Sequence, residues 1–195
     1  MSRAFVLGNG ISRKELDLNW LKTLGTVYGC NALYREFEPN VLISTDRPIS
    51  ERIQHEGYAL KNKFYTRRPI VGQGALPVPH QYFGFSSGPI AVGQAAIDKN
   101  IAIYLIGFDM GPDSQGRFNN IYADTEFYKR SSATPTYSGN WVRQLITVMK
   151  DHPKANFFRV MGETTADIPE LRGAKNLCHI PMEEFLYRGK VTHML

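Results

Sequence analysis

Arg3-Ala-Phe-Val-Leu-Gly-Asn-Gly-Ile-Ser-Arg-Lys-Glu15 limits the fold more than any other stretch. An apolar run, Ala4 to Leu7, passes through Gly8-Asn9-Gly10 into a helix start. Ser12 and Glu15 have the S-x-x-E spacing of a capping box, which places a helix N-terminus just behind the glycines. Free N–H groups and a positive dipole end then face the space beyond the strand, which suits a phosphate or another anion. An ordinary strand-turn-helix connection without a ligand has the same sequence signature.

The punctuation recurs along the chain. The first helix runs from about Ser12 to Lys22 and stops at Gly25; Thr26 to Gly29 is a second short strand, ending at Gly29-Cys30-Asn31. A brief helical piece, Ala32 to Phe37, is broken by Pro39-Asn40. Val41 to Ser44 is a third strand, ending at Thr45-Asp46, and Ile49 to Glu56 is a helix. Lys63 to Thr66 is a fourth strand; Pro69 to Phe85 has no period and reads as a structured loop. Ser86-Ser87-Gly88-Pro89 opens a small-residue helix to Asp98. Ile101 to Ile106 is the most apolar strand and ends at Gly107-Phe108-Asp109. A long polar segment follows, then a helix (Tyr137 to Asp151), a strand (Asn156 to Val160), a short helix near Ile168, a strand (Asn176 to Ile180) and a terminal helix from Met182.

Strands alternating with helices predict an α/β, Rossmann-like fold: a mostly parallel sheet with helices on both faces and a small lid. The 195 residues make one nucleotide-binding domain over 1–195, with the lid inserted at about 110–136. Apolar runs are strand-length, so no membrane span is expected. With no secretory leader and only Cys30 and Cys178, without metal spacing, the chain reads as cytoplasmic. A net charge of +5 admits an anionic small molecule or a nucleic acid. Lys61 to Arg68 mixes cations with aromatics, but no nucleic-acid motif accompanies it, and a solvated strand face explains it better. A homo-oligomer is left open.

In such sheets ligands sit beyond the carboxyl ends of the strands. Those ends supply Gly8-Asn9-Gly10, Asn31, Asp46 and Asp109, and Ser86, Ser87 and Gly88 add a second helix N-terminus. Asn can donate and accept toward a base or sugar edge; Asp can accept from hydroxyls or hold a metal. Asn and Asp are also common helix caps.

Phe5 to Asp17 resembles the "GNGPSLKEID" opening of bacterial CMP-sialic-acid-dependent sialyltransferases of the Campylobacter type, and Gly29-Cys-Asn-Ala-Leu33 is similar to their "RCNQF" segment. Pro39 to Asp46 is similar to the "PDIVVSVD" segment of the related Maf-type motility glycosyltransferases and pterin pyrophosphokinase-like proteins. Ser86 to Asp109 resembles the segment of the sialyltransferase family that ends in "IYLCGIDF". The resemblance keeps its order over residues 3–46 and 85–110. It implies that Gly8, Asn9 and Gly10 hold the phosphate and ribose side and that Asn31 contacts the nucleotide or donor. It also places Ser87 and Gly88 at the base or donor end, with lid tyrosines Tyr122 and Tyr128 toward the leaving phosphate. The family's histidine before the helix after the lid has no counterpart near Tyr137-Ser138, and Ile11 replaces a proline. Asp46, Asp109 or His80 are then the candidates for the base.

The expected function is a nucleotide-dependent transferase, a glycosyltransferase using a CMP- or other nucleotide-activated sugar, with no further cofactor. Helix N-termini and tyrosine hydroxyls can stabilise the leaving phosphate without metal. If Asp46 and Asp109 converge, a Mg²⁺-dependent pyrophosphoryl transfer fits instead. A nucleotide-binding sensor without catalysis is the third reading.

Overall fold

The computed structural model describes residues 2–191 and 194–195; His193 lies outside them. Eight strands form one sheet in the order β5-β4-β3-β2-β1-β6-β7-β8. They are β1 (Arg3–Leu7), β2 (Thr26–Cys30), β3 (Val41–Ile43), β4 (Phe64–Thr66), β5 (Leu76–Pro77), β6 (Ala102–Ile106), β7 (Asn156–Met161) and β8 (Leu177–Pro181). Every pairing is parallel, so all the carboxyl ends lie along one edge. The fold is an α/β Rossmann-like one. The chain builds outward from β1 to β5, then returns to set β6 on the other side of β1. The winding reverses there, and a crevice opens between the ends of β1 and β6.

Among the described residues six helices cover the sheet: α1 (Leu18–Leu24), α2 (Arg47–His55), α3 (Ser87–Ile97), α4 (Gly139–Asp151), α5 (Pro169–Arg172) and α6 (Met182–Lys190). Strand alternation divides the core between two faces. Ala4, Val6, Ile103 and Leu105 point to one face, under Ile90 and Ala95 of α3 and Leu145 and Val148 of α4. Phe5, Leu7, Tyr104 and Ile106 point to the other, against Leu21 of α1 and Phe185 of α6. Helix α3 is buried on nearly every side, which explains its small residues. A Cβ at Gly93 would stand 2.5 Å from the Tyr82 ring.

Two readings change. The capping box is not formed: the Ser12 N–H and hydroxyl both bond Asp109, at 3.0 and 2.5 Å. Residues Ile11–Arg13 make only a 3-10 turn, and α1 begins at Leu18, capped by Asp17 accepting from the N–H groups of Asn19 and Trp20. The loop between β4 and α3 also contains β5, an edge strand too short to carry a period.

Candidate functional site

The two sheet halves meet glycine to glycine. A Cβ on Gly8 would stand 2.5 Å from the Gly107 carbonyl oxygen, and one on Gly107 would stand 2.6 Å from that of Gly8. Gly107 also has φ +76°, a conformation only glycine adopts without cost. At Gly10 a Cβ would overlap Asp109 Cγ. The three glycines are needed for this close approach whether or not a ligand is present.

The N–H groups of this turn are largely spent inside the protein. Gly8 donates to Ile106 and Gly10 to Gly107, at 2.8 and 2.9 Å. Ile11 donates to Asn119 Oδ1 and Ser12 to Asp109. Within this turn, among the described residues, the Asn9 N–H alone is left without a protein acceptor. The Asn9 side chain is occupied as well: Nδ2 donates to the Cys30 carbonyl at 3.1 Å, and Oδ1 accepts from Arg13 at 2.9 Å. The turn is a rigid wall rather than the open phosphate cradle its glycines suggest.

Free donors stand across the crevice. Helix α3 starts there, and geometry leaves the N–H groups of its first residues, Ser87 and Gly88, without partners in the helix. The Ser86 N–H is taken by Gln144 Oε1 at 2.8 Å. The Ser87 hydroxyl accepts from the Thr45 N–H at 3.0 Å and donates to Asn31 Oδ1 at 3.2 Å. Ser44 donates to the same oxygen at 2.8 Å. With its oxygen held twice, Asn31 is left with its amide N–H₂ to offer. Asn31 has φ +53° and Met110 φ +49°, and both line the crevice. Left-handed backbone in residues other than glycine collects at functional sites.

The cavity measures about 360 Å³, within the range of small-molecule sites. It brings together Gly8, Asn9, Gly10, Asn31, Asp46, Ser86, Ser87, Gly88 and Asp109. Thr45, Asn119, Asn120 and Trp141 line it too, and sequence reasoning did not single them out. The Asn119-Asn120 pair in the lid was a legible signal, because Asn suits base and sugar edges. No lysine or arginine lines this cavity, so a phosphate there would meet the α3 N-terminus and neutral donors.

The two aspartates differ. Asp109 is buried and takes five hydrogen bonds: from the Ser12 N–H and hydroxyl, Asn119 Nδ2, and the hydroxyls of Thr164 and Thr165. It ties the glycine turn, the lid and the segment after β7 into one unit, with no lone pair free for a base. Behind it, Arg159 of β7 is fully buried and donates to the carbonyls of Phe108, Asp109 and Ala166. Burial lowers the Arg159 guanidinium to about 10, although the Asp109 charge opposes the fall. Asp46, by contrast, is exposed at the start of α2 and makes no side-chain cap bond.

The remaining expected residues lie elsewhere. His80 stands exposed on the 3-10 turn His80–Tyr82, outside the cavity. Tyr122 is buried behind the glycine turn, donating to Glu36 at 2.7 Å and accepting from Arg13 at 3.3 Å. Its hydroxyl is raised well above the ordinary value, first by burial and then by the Glu36 bond. Arg13 is itself buried and donates to the Gly8 carbonyl at 2.6 Å, so it fastens the lid to the turn. Tyr128 accepts from the Ala32 N–H at 3.3 Å, and burial pushes its hydroxyl up to about 12.

Tyr128 lines a second cleft of about 530 Å³, next to the first. Asn31, Asp46, Asn120 and Trp141 line both. Asp46 is the only titratable side chain on that shared wall.

A solved sialyltransferase has this fold. The sialyltransferase CstII from Campylobacter jejuni, in complex with the substrate analogue cytidine-5'-monophosphate, aligns with a TM-score of 0.52. The alignment covers 82% of this chain and 79% of that one, at 16% identity. At that identity the likeness establishes the architecture. No family model and no curated protein matches the sequence. Among the described residues no helix is long and apolar enough to cross a membrane.

Proposed function

We propose that the chain is a nucleotide-dependent glycosyltransferase that takes a CMP- or similarly activated sugar in the crevice between β1 and β6. The observation that carries this is the pair of adjoining clefts with an unbonded carboxylate, Asp46, on their common wall. The sialyltransferase of the same fold was solved with cytidine-5'-monophosphate, which supports the choice of nucleotide.

In this reading the nucleotide lies against Gly8–Gly10 and Asn31, with its phosphate toward Ser87 and Gly88 at the α3 N-terminus. An acceptor hydroxyl enters from the second cleft. Its oxygen bonds the anomeric carbon while the bond from that carbon to the phosphate oxygen breaks. The electron pair leaves on the phosphate, where helix N–H groups and side-chain amides stabilise it. The hydroxyl proton passes to Asp46, whose position between the clefts gives it reach to both. Asp109 and Arg159 hold the walls. Because the Asp109 oxygens are all engaged, Asp46 is the one carboxylate in the crevice that a Mg²⁺-dependent pyrophosphoryl transfer could use, which makes that reading the weaker.

Thermal shift with CMP, UMP and ATP plus Mg²⁺ tests the donor, and release of CMP from a CMP-sugar tests catalysis. Stabilisation by CMP with turnover is expected. CMP binding without turnover would leave a sensor, and stabilisation by none of the three would refute nucleotide binding.

A further inference from the structure

The second cleft differs in character from the first. Its walls are aromatic, with Trp141 where the clefts join and Phe118, Phe127 and Tyr128 from the lid. Its charges are cationic apart from Asp46: Arg47 from α2 and Lys129 from the lid. The Lys129 ammonium lies 3.4 Å from the Thr136 hydroxyl and 5.7 Å from the Phe118 ring centroid, and neither neutralises it. Arg47 pairs with Glu51 through Nε at 2.7 Å, which leaves the rest of its planar fork of donors.

Phe127 gives the cleft the look of a prepared surface. Its φ is +73°, in the left-handed region that a bulky side chain enters only at a cost. The neighbouring contacts hold it there. Arg52 makes two hydrogen bonds to Glu126, at 2.9 and 3.1 Å, and its guanidinium sits 5.4 Å from the Phe127 ring centroid. Arg35 bonds the Thr125 hydroxyl and the Glu126 carbonyl, both at 3.0 Å. The residue stays 42% exposed while lining the cleft.

We infer that this cleft seats an acceptor combining a sugar ring with an anionic group, the ring against Trp141 and Phe127 and the anion at Lys129 and Arg47. The inference rests on the transferase reading for its word acceptor, but the binding itself needs no nucleotide. Aromatic faces suit the C–H faces of a sugar ring, and an ammonium without an ion-pair partner suits a carboxylate or a phosphate. A neutral sugar would leave that cation unmatched.

The test is binding of methyl β-D-glucuronide, glucose 6-phosphate and methyl β-D-glucoside to the full chain, followed by tryptophan fluorescence. Trp20, the other tryptophan, packs on Phe185 at the far face and serves as a silent background. Both anionic sugars, or whichever of them carries the right anion, should bind at least tenfold tighter than the glucoside. The Lys129→Gln variant should erase that preference, and Phe127→Gly, which also relieves the left-handed strain, should weaken all three. Equal binding of the three sugars, a preference that survives Lys129→Gln, or unchanged binding in Phe127→Gly would each overturn the inference. CMP binding, read separately by thermal shift, keeps the two ideas apart. If CMP binds and the sugars are not distinguished, the cleft inference fails alone. If the anionic sugars are selected and CMP does not bind, the cleft stands and the donor assignment falls.

Discussion

Removing the Asp109 carboxylate should loosen the whole rim of the crevice. In Asp109→Ala the Ser12 N–H and the Asn119 amide lose their acceptor, and the hydroxyls of Ser12, Thr164 and Thr165 must turn elsewhere. Each buried donor left unsatisfied costs about 1–3 kcal/mol. The buried Arg159 also loses its nearby counter-charge. Together these put the loss at about 3–5 kcal/mol, the scale of breaking a buried charge pair. Against a total stability of about 5–15 kcal/mol, the variant would fold with little margin. In urea the midpoint should fall by about 1–2.5 M, for an m-value of about 2–3 kcal/mol/M. Asp109→Asn should be milder, roughly 1–2 kcal/mol, because the hydroxyls of Ser12 and Thr165 can rotate to accept from the new amide. An Asp109→Ala loss below about 1 kcal/mol would refute the structural role. So would an Asp109→Asn variant of full stability that had lost all turnover, because that pattern belongs to a base.

Asp46→Asn should lower donor turnover by about 10²–10⁴ while the urea midpoint stays put, since the exposed Asp46 carboxylate makes no cap bond to lose; turnover within tenfold of the parent would exclude Asp46 as the base. Asn31→Gly keeps the left-handed backbone and deletes the amide; the buried Ser44 and Ser87 hydroxyls lose their acceptor, so the melting temperature should fall modestly while the CMP-induced shift, read on the folded variant, shrinks. Burial holds the His152 and His179 imidazoles below the ordinary histidine value. The unfolded chain therefore takes up protons first as pH falls: this stability is full above about pH 6.5 and declines below it. Urea midpoints should be lower at about pH 5.5 than at about pH 7.5, with a smaller difference in His152→Gln.

The architecture was legible because its signals are local. Apolar runs closed by glycine, Asn or Asp marked β1, β2, β3 and β6, and the small-residue run from Ile90 marked α3 as a helix able to approach the sheet closely. Strand β5 escaped because Leu76-Pro77 has no room for alternation. The Ser12–Glu15 box misled for a different reason: its pattern is local, but Asp109, 97 residues away, takes both Ser12 donors. The site follows the same division. Asn31, Asp46 and Ser86 to Gly88 lie on the crevice because strand ends in a parallel sheet share an edge. The role of Asp109 was hidden because its partners come from positions 12, 119, 164 and 165. Arg13 and Arg159 carried no signal in the sequence, yet both are buried: Arg159 is satisfied by main-chain carbonyls, and Arg13 by the Gly8 carbonyl, the Asn9 side chain and the Tyr122 hydroxyl.

Titrating CMP into the ¹⁵N-labelled 22.1 kDa protein tests the central claim directly. The account predicts the largest amide shifts at Ser87, Gly88, Asn31 and Asn9, with the side-chain amide of Asn31 among them. Shifts centred on the basic stretch Lys61 to Arg68, or none at the α3 N-terminus, would contradict it.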